Sequence, residues 1–384
     1  MLVSDLPTPA LLVDRARLTA NLDAMAARAE AQGVALRPHV KTHKCPEIAR
    51  LQTERGAQGI TVATVLEAEA FADAGFDDIR MATPPVGPKK AERLAALAGR
   101  GGRISFTTDS LEGVRQAQAA FLEAGQSAGV LIEVDTGYGR CGVDWDDLDA
   151  LTLVAGAINE ASALELVGLL SHGGHAYTTG SADQTKDQAR REVMDAERDR
   201  VLEAATRLVE AGRLRSDPEL SVGSTPGVTV FTNAERGGLT ITEVRPGTYV
   251  FFDAGQVSFG AARLQDCALT CIGTVVSQRR FDDGTERTIT DAGKKILTAD
   301  RRTGSKTFGT VLYSPRTMIA HPHAIVSALS EEHGWVDTPG GSIWDVGDPV
   351  FVVPNHACVA VATRSTLYVV DGDEVIDTWD VVGR

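Results

Sequence analysis

From about residue 15 to about residue 250, short apolar runs take turns with amphipathic stretches, the pattern of strands joined by helices. Leu18 to Gln32 is rich in alanine and stops before Gly33, which predicts a helix. Val34 to Lys41 predicts a strand, Cys45 to Arg55 a helix, Ile60 to Ala63 a strand, and Leu66 to Ala74 a helix ended by Gly75. The alternation continues with strand Ile79–Ala82, helix Lys89–Ala98, strand Ile104–Thr107, helix Leu111–Glu123 and strand Val130–Asp135. A strand over Val167–Ser171 and a long helix from about Asp183 to Ala211 follow. Such alternation implies a parallel sheet with helical crossovers. Roughly eight units over about 240 residues match a (β/α)8 TIM-like barrel. A doubly wound sheet has the same periodicity and competes with it.

Beyond about residue 255 the helical signal fades. Ala268–Gln278, Arg287–Asp291, Gly309–Tyr313, Pro349–Pro354, Cys358–Ala362 and Thr366–Val370 read as strands between Gly, Asp and Pro turns. The expected architecture is α/β: a barrel over residues 15–254, then an antiparallel β domain over 255–384 joined by residues 1–14.

Composition narrows the class. The 384 residues carry a formal charge of −14, which argues against nucleic acid, since phosphate binding needs clustered Lys and Arg. Five scattered cysteines in a chain this long read as a reducing, cytoplasmic setting rather than a disulfide framework. The segment from Met1 to Pro7 has no basic start and no apolar core, so no signal peptide is expected. No run reaches the roughly 18 apolar residues of a membrane span.

Six segments carry candidate chemistry. In Arg37-Pro38-His39-Val40-Lys41-Thr42-His43-Lys44, alternate side chains of a strand share a face, so Arg37, His39 and Lys41 would point one way. Charges aimed into a barrel are costly unless they have a task. Burial and cationic neighbours would make the Lys41 amine nucleophilic, suited to a covalent link with an aldehyde cofactor. Judged alone, the segment is a solvated basic loop. Val134-Asp135-Thr136-Gly137-Tyr138-Gly139-Arg140-Cys141-Gly142 suits a loop where Arg140 reaches a phenolate or phosphate, or else a tight turn with a surface Arg. Ser221-Val222-Gly223-Ser224-Thr225-Pro226-Gly227 has the amides and hydroxyls of an anion nest but no P-loop Lys, so it fits one phosphate monoester. In Glu243-Val244-Arg245-Pro246-Gly247-Thr248-Tyr249, Arg245 would face the cofactor ring, with Gly247 and Tyr249 closing on the phosphate. His356 and Cys358, at i and i+2 of an extended segment, would share a face and bind one metal ion. Two protein ligands leave positions open for substrate, which suits catalysis; a core His and a buried Cys is the plain alternative. In Ser171-His172-Gly173-Gly174-His175-Ala176-Tyr177, His172 would stack on a ring and Tyr177 would donate to it. His321, His323 and His333 read mainly as loop histidines.

Together these segments resemble fold-type III pyridoxal 5′-phosphate (PLP) enzymes, with an alanine-racemase-like barrel and a β domain. They look closest to the D-serine dehydratase / D-threonine aldolase group, over nearly the whole chain. The resemblance implies that Lys41 carries PLP, that Arg140 lies beside the ring hydroxyl, and that Arg245 contacts the ring nitrogen. It also implies a phosphate held by Gly223, Ser224, Thr225, Gly247 and Tyr249. His356 and Cys358 would bind a divalent metal, zinc before manganese or magnesium, near the substrate β-hydroxyl. Dehydratases of the group resemble this chain in having His-x-Cys, whereas the aldolases tend to have His-x-Asp. The implied reaction is dehydration of a β-hydroxy D-amino acid such as D-serine or D-3-hydroxyaspartate to a 2-oxo acid and ammonia. Lys41, His356 and Cys358 would do the chemistry. Retro-aldol cleavage to glycine and an aldehyde is the alternative, followed by racemisation or a non-catalytic PLP carrier. The group also implies a homodimer.

Overall fold

The computed structural model describes residues 1–181, 183–301 and 306–383. Eight strands pair side by side, all parallel, in the order Ala35–Leu36, Glu243–Val244, Glu219–Val222, Leu164–Leu170, Ala128–Asp135, Arg103–Thr108, Asp78–Met81 and Ile60–Val62. The sheet curls, and an isolated bridge joins His39, beyond the end of Ala35–Leu36, to Thr61, where the Thr61 amide donates to Pro38 O at 2.8 Å. Helices cross over between the strands. Their starts follow from short polar residues that cap the first turn: Asp14 accepts from the Arg17 amide (2.9 Å), Thr64 from Glu67 (3.1 Å), Ser110 from Gly113 (3.2 Å) and Asp147 from Ala150 (2.9 Å). Apolar faces pack onto the sheet, as where Phe106 stacks on Phe121 at 5.8 Å between centroids.

A second sheet holds strands Leu269–Arg280, Glu286–Thr290, Gly309–Ser314, Ile325–Leu329, Gly334–Thr338, Pro349–Pro354, Thr366–Asp371 and Glu374–Asp380, joined by Ala10–Asp14 from the N-terminus. It is mixed rather than antiparallel throughout. Ala10–Asp14 runs antiparallel to Leu269–Arg280 but parallel to Thr366–Asp371.

Two expected strands change on inspection. Val34–Lys41 is a strand only at Ala35–Leu36, and Val40–Thr42 turns into a 3-10 helix. Pro38 has no amide to continue a ladder, and Lys44 takes φ 47° to swing the chain into helix Pro46–Thr53. Cys358–Ala362 is helical, within Ala357–Ala362. Short apolar runs are ambiguous between strand and helix. Here Asp253, fully buried, decides by accepting from the Ala357 amide at 2.9 Å. Helix Leu148–Glu160 and strands Ile325–Leu329, Gly334–Thr338 and Glu374–Asp380 had no counterpart in the sequence reading. No helix among the described residues is long and apolar enough to cross a membrane.

Candidate active site

A cavity of about 390 Å³ opens where the parallel strands end. Ligands in open and closed parallel sheets sit at that end of the strands. Lys41 enters it from the turn after Ala35–Leu36, beside His39 and Thr42. Desolvation pulls the Lys41 amine below the ordinary lysine range, with Arg140 and Arg245 pushing the same way against Cys358 and Glu67. His39 and His172 are held well below the usual imidazole value by burial and by Lys41. Arg37 does not reach the cavity. It is 2% exposed and donates to Glu243 (2.6 Å) and Asp78 (2.7 Å) deep in the sheet.

Arg140, His172, Tyr177, Gly223, Ser224, Thr225, Arg245, Gly247, His356 and Cys358 all line this one cavity. Arg245 is fixed by donating to Ser221 Oγ and Ser171 O, and burial lowers it to about 10. Gly223 holds φ +106°, and a Cβ there would strike Val228. Gly247 packs so closely that a Cβ would meet Thr42 Oγ1 and His39 O, which binds the end of its strand to the Lys41 turn. Thr225 Oγ1 accepts from the amides of Gly247 (3.1 Å) and Tyr249 (3.2 Å). Ser224 turns its hydroxyl to Gly173 O (3.4 Å) instead of capping the short helix Thr225–Val228. Tyr249 corrects the expectation: its side chain is 1% exposed, lies behind the cavity wall and accepts from Gln52 Nε2 at 2.9 Å. Only its amide serves the cradle.

His356 and Cys358 are brought together by a helix start, not by a strand. His356 precedes helix Ala357–Ala362 and Cys358 lies in its first turn. Their side chains line the same cavity. Burial works against charge on both, yet each stabilises the other: the imidazole rises to about 10, and the thiol is lowered by His356, Thr42 and Lys41. Cys358 Sγ lies 3.2 Å from Thr42 Oγ1. A soft thiolate and an imidazole on an open cavity form a donor set that fits zinc. A desolvated amine among buried cations and a glycine cradle fits an aldehyde carrying a phosphate.

Several supporting residues escaped the sequence reading. Glu197, fully buried on helix Lys186–Glu210, accepts the amides of Gly173 (2.8 Å) and Gly223 (3.0 Å) and so ties two cavity loops. Lys44 donates to Glu67 and to Gly383 O (2.9 Å), clamping the Lys41 turn to the end of the chain. Asp300 meets His356 at 2.6 Å. His321 stacks on Tyr313 at 4.6 Å and faces Trp344, as a packing residue.

The alanine racemase N-terminal domain matches residues 13–255, and the putative serine dehydratase domain matches residues 268–370. D-threo-3-hydroxyaspartate dehydratase of Delftia sp. strain HT23 is 33% identical over 98% of this chain and 97% of its own. D-threonine aldolase of Arthrobacter sp. is also 33% identical, over 98% of this chain and 92% of its own. The solved structure of the Delftia dehydratase superposes with TM-score 0.89 at 31% identity, covering 99% of both chains, and a mutant of that enzyme has been solved in a metal-free form. The chain belongs to the family of the alanine racemase N-terminal domain, in the branch that adds a serine dehydratase domain behind it.

Proposed function

We propose that this chain is a PLP- and divalent-metal-dependent lyase that removes water from a β-hydroxy D-amino acid and yields a 2-oxo acid and ammonia. The observation that carries this reading is that Lys41 and the His356–Cys358 pair face one cavity of about 390 Å³. Its relatives are a dehydratase and an aldolase of β-hydroxy D-amino acids by name.

Bound PLP supplies an electron sink for the α-carbon, and a bound divalent ion supplies Lewis acidity at the leaving hydroxyl. Lys41 would anchor the coenzyme, and its amine, which desolvation lowers below the ordinary lysine range, would serve as the base for the α-proton. His356 and Cys358 would hold the ion, zinc before manganese or magnesium, and it would supply its Lewis acidity to the β-hydroxyl. Gly223, Ser224, Thr225 and Gly247 would hold the phosphate, with the Tyr249 amide supporting Thr225 from behind. Arg140 would reach the ring hydroxyl and Arg245 the ring nitrogen, and His172 and Tyr177, which line the same cavity, would face the ring.

The aldolase reading keeps this site and breaks the Cα–Cβ bond. The equally similar Arthrobacter relative supports it; Cys358, where aldolases of the group tend to carry Asp, favours dehydration. Assay of D-serine, D-threonine and D-3-hydroxyaspartate decides. Oxo acid and ammonia are expected, and aldehyde with glycine alone would overturn the dehydratase.

The proposal extends to architecture. The His39–Thr61 bridge supports a (β/α)8 barrel over 15–254, with 255–384 and 1–14 as the β domain that brings the metal pair. Five free cysteines support a reducing, cytoplasmic setting. A homodimer follows from the resemblance, and light scattering tests it.

A further inference from the structure

The metal pair has a neighbour with no part in the scheme above. Asp300 Oδ2 lies 2.6 Å from His356 Nδ1. With Nδ1 given to Asp300, only Nε2 is left to face Cys358 and the cavity. Asp300, His356 and Cys358 thus form one array, continued by Thr42 at 3.2 Å and Thr248 at 3.6 Å from the sulfur.

The backbone is built to deliver Asp300 to that place. Asn355, 5% exposed and adjacent to His356, donates its side-chain amide to Asp300 O (2.9 Å) and Thr307 O (2.8 Å). Buried Thr298 holds φ 68° and ψ 172°, a conformation proper to glycine, and its hydroxyl accepts from the Asp300 amide at 3.3 Å. Strain of this kind persists only where the surroundings over-determine it. Among the described residues no three His, Cys, Asp or Glu converge as a ligand set. The side-chain partner of Asp300 is the imidazole of His356, through Nδ1.

We infer that Asp300 is a positioning residue: it holds His356 with Nδ1–H donated and Nε2 turned to the cavity, and thereby sets the affinity for the divalent ion. Metal-binding imidazoles lean on such carboxylates, and losing one weakens metal binding about 10–100-fold. The inference rests on the metal reading of His356 and Cys358.

The test is a zinc titration, against a chromophoric chelator, of metal-stripped holoenzyme in the parent and in Asp300→Ala, Asp300→Asn, Asp300→Glu and His356→Ala. Asp300→Ala is expected to weaken zinc binding about 10–100-fold, with Asp300→Asn and Asp300→Glu in between. The coenzyme absorbance band should stay as in the parent. Zinc affinity within about twofold of the parent in Asp300→Ala, while His356→Ala loses it, would overturn the inference alone. Parental zinc affinity in His356→Ala would remove the metal reading and the inference with it. Should Asp300→Ala unfold, Asp300→Asn decides by the same two outcomes.

Discussion

The two ends of the parallel sheet treat charge in opposite ways. Where the strands begin, the buried cations Arg80 and Arg37 meet carboxylates: Arg80 donates to Glu243 at 2.6 Å and to Glu219, and Arg37 to Glu243 at 2.6 Å and Asp78 at 2.7 Å, while the exposed Arg103 adds a bond to Asp78 at 2.8 Å. Where the strands end, Lys41, Arg140, Arg245, His39 and His172 crowd one cavity with few acids between them. Arg37 and Lys41 are close neighbours in sequence, yet move in opposite directions. Burial lowers both, but Glu243 and Asp78 carry Arg37 above its ordinary range, while Lys41 drops below its own. Paired carboxylates hold the cations of one end, whereas the cavity lining at the other end carries Lys41, Arg140 and Arg245 and no carboxylate, with Arg140 leaning on Glu133 at 3.5 Å behind it.

Breaking the open end should cost activity and not stability. Lys41→Ala is expected to abolish the coenzyme band and to lower turnover by at least 10²–10⁴, the range for a lost general base. Its melting midpoint should match or exceed that of the coenzyme-free parent, because a desolvated amine is removed. Breaking the closed end should do the reverse. Glu243→Gln leaves Arg37 and Arg80 short of a buried partner, and urea unfolding should show a loss of about 3–5 kcal/mol.

The pH dependence sharpens the same contrast. Burial raises Glu243, but Arg80 and Arg37 outweigh it and hold the carboxyl at about 2. A depressed carboxyl stabilises above its unfolded value and loses that stabilisation as pH falls through the folded one. The contribution, about 3 kcal/mol at most, should therefore fade between about pH 4.5 and pH 2. Thermal melts of Glu243→Gln should lack that part of the acid limb. Glu112 is also held at about 2, by Arg115 and Gln116, but on an exposed helix face. Solvent screening removes most of that effect, so Glu112→Gln should leave the midpoint within about 1 °C.

The sequence shows the catalytic end more readily than its supports. Helix Leu111–Glu123 appears with the expected bounds, because a serine cap and amphipathic spacing mark it locally. Ala35–Leu36 and Glu243–Val244 are too short to show a period, and both are shorter than the segments Val34–Lys41 and Glu243–Tyr249 that contain them. Lys41, Arg140, Arg245, His356 and Cys358 stand in segments whose unusual residue density advertises them. Glu197 and Asp300 do not. Each is a single carboxylate whose partners lie far along the chain, Gly173 for one and His356 for the other. The helix at Ala357–Ala362 was hidden for a like reason, since the Asp253 that caps it comes from the other sheet's side of the chain.

The most direct test of the account is borohydride reduction of the PLP-loaded protein followed by peptide mass mapping. The account predicts one pyridoxyl phosphate group, on Lys41. A label on Lys44 or on any other lysine, with Lys41 unmodified, would contradict it.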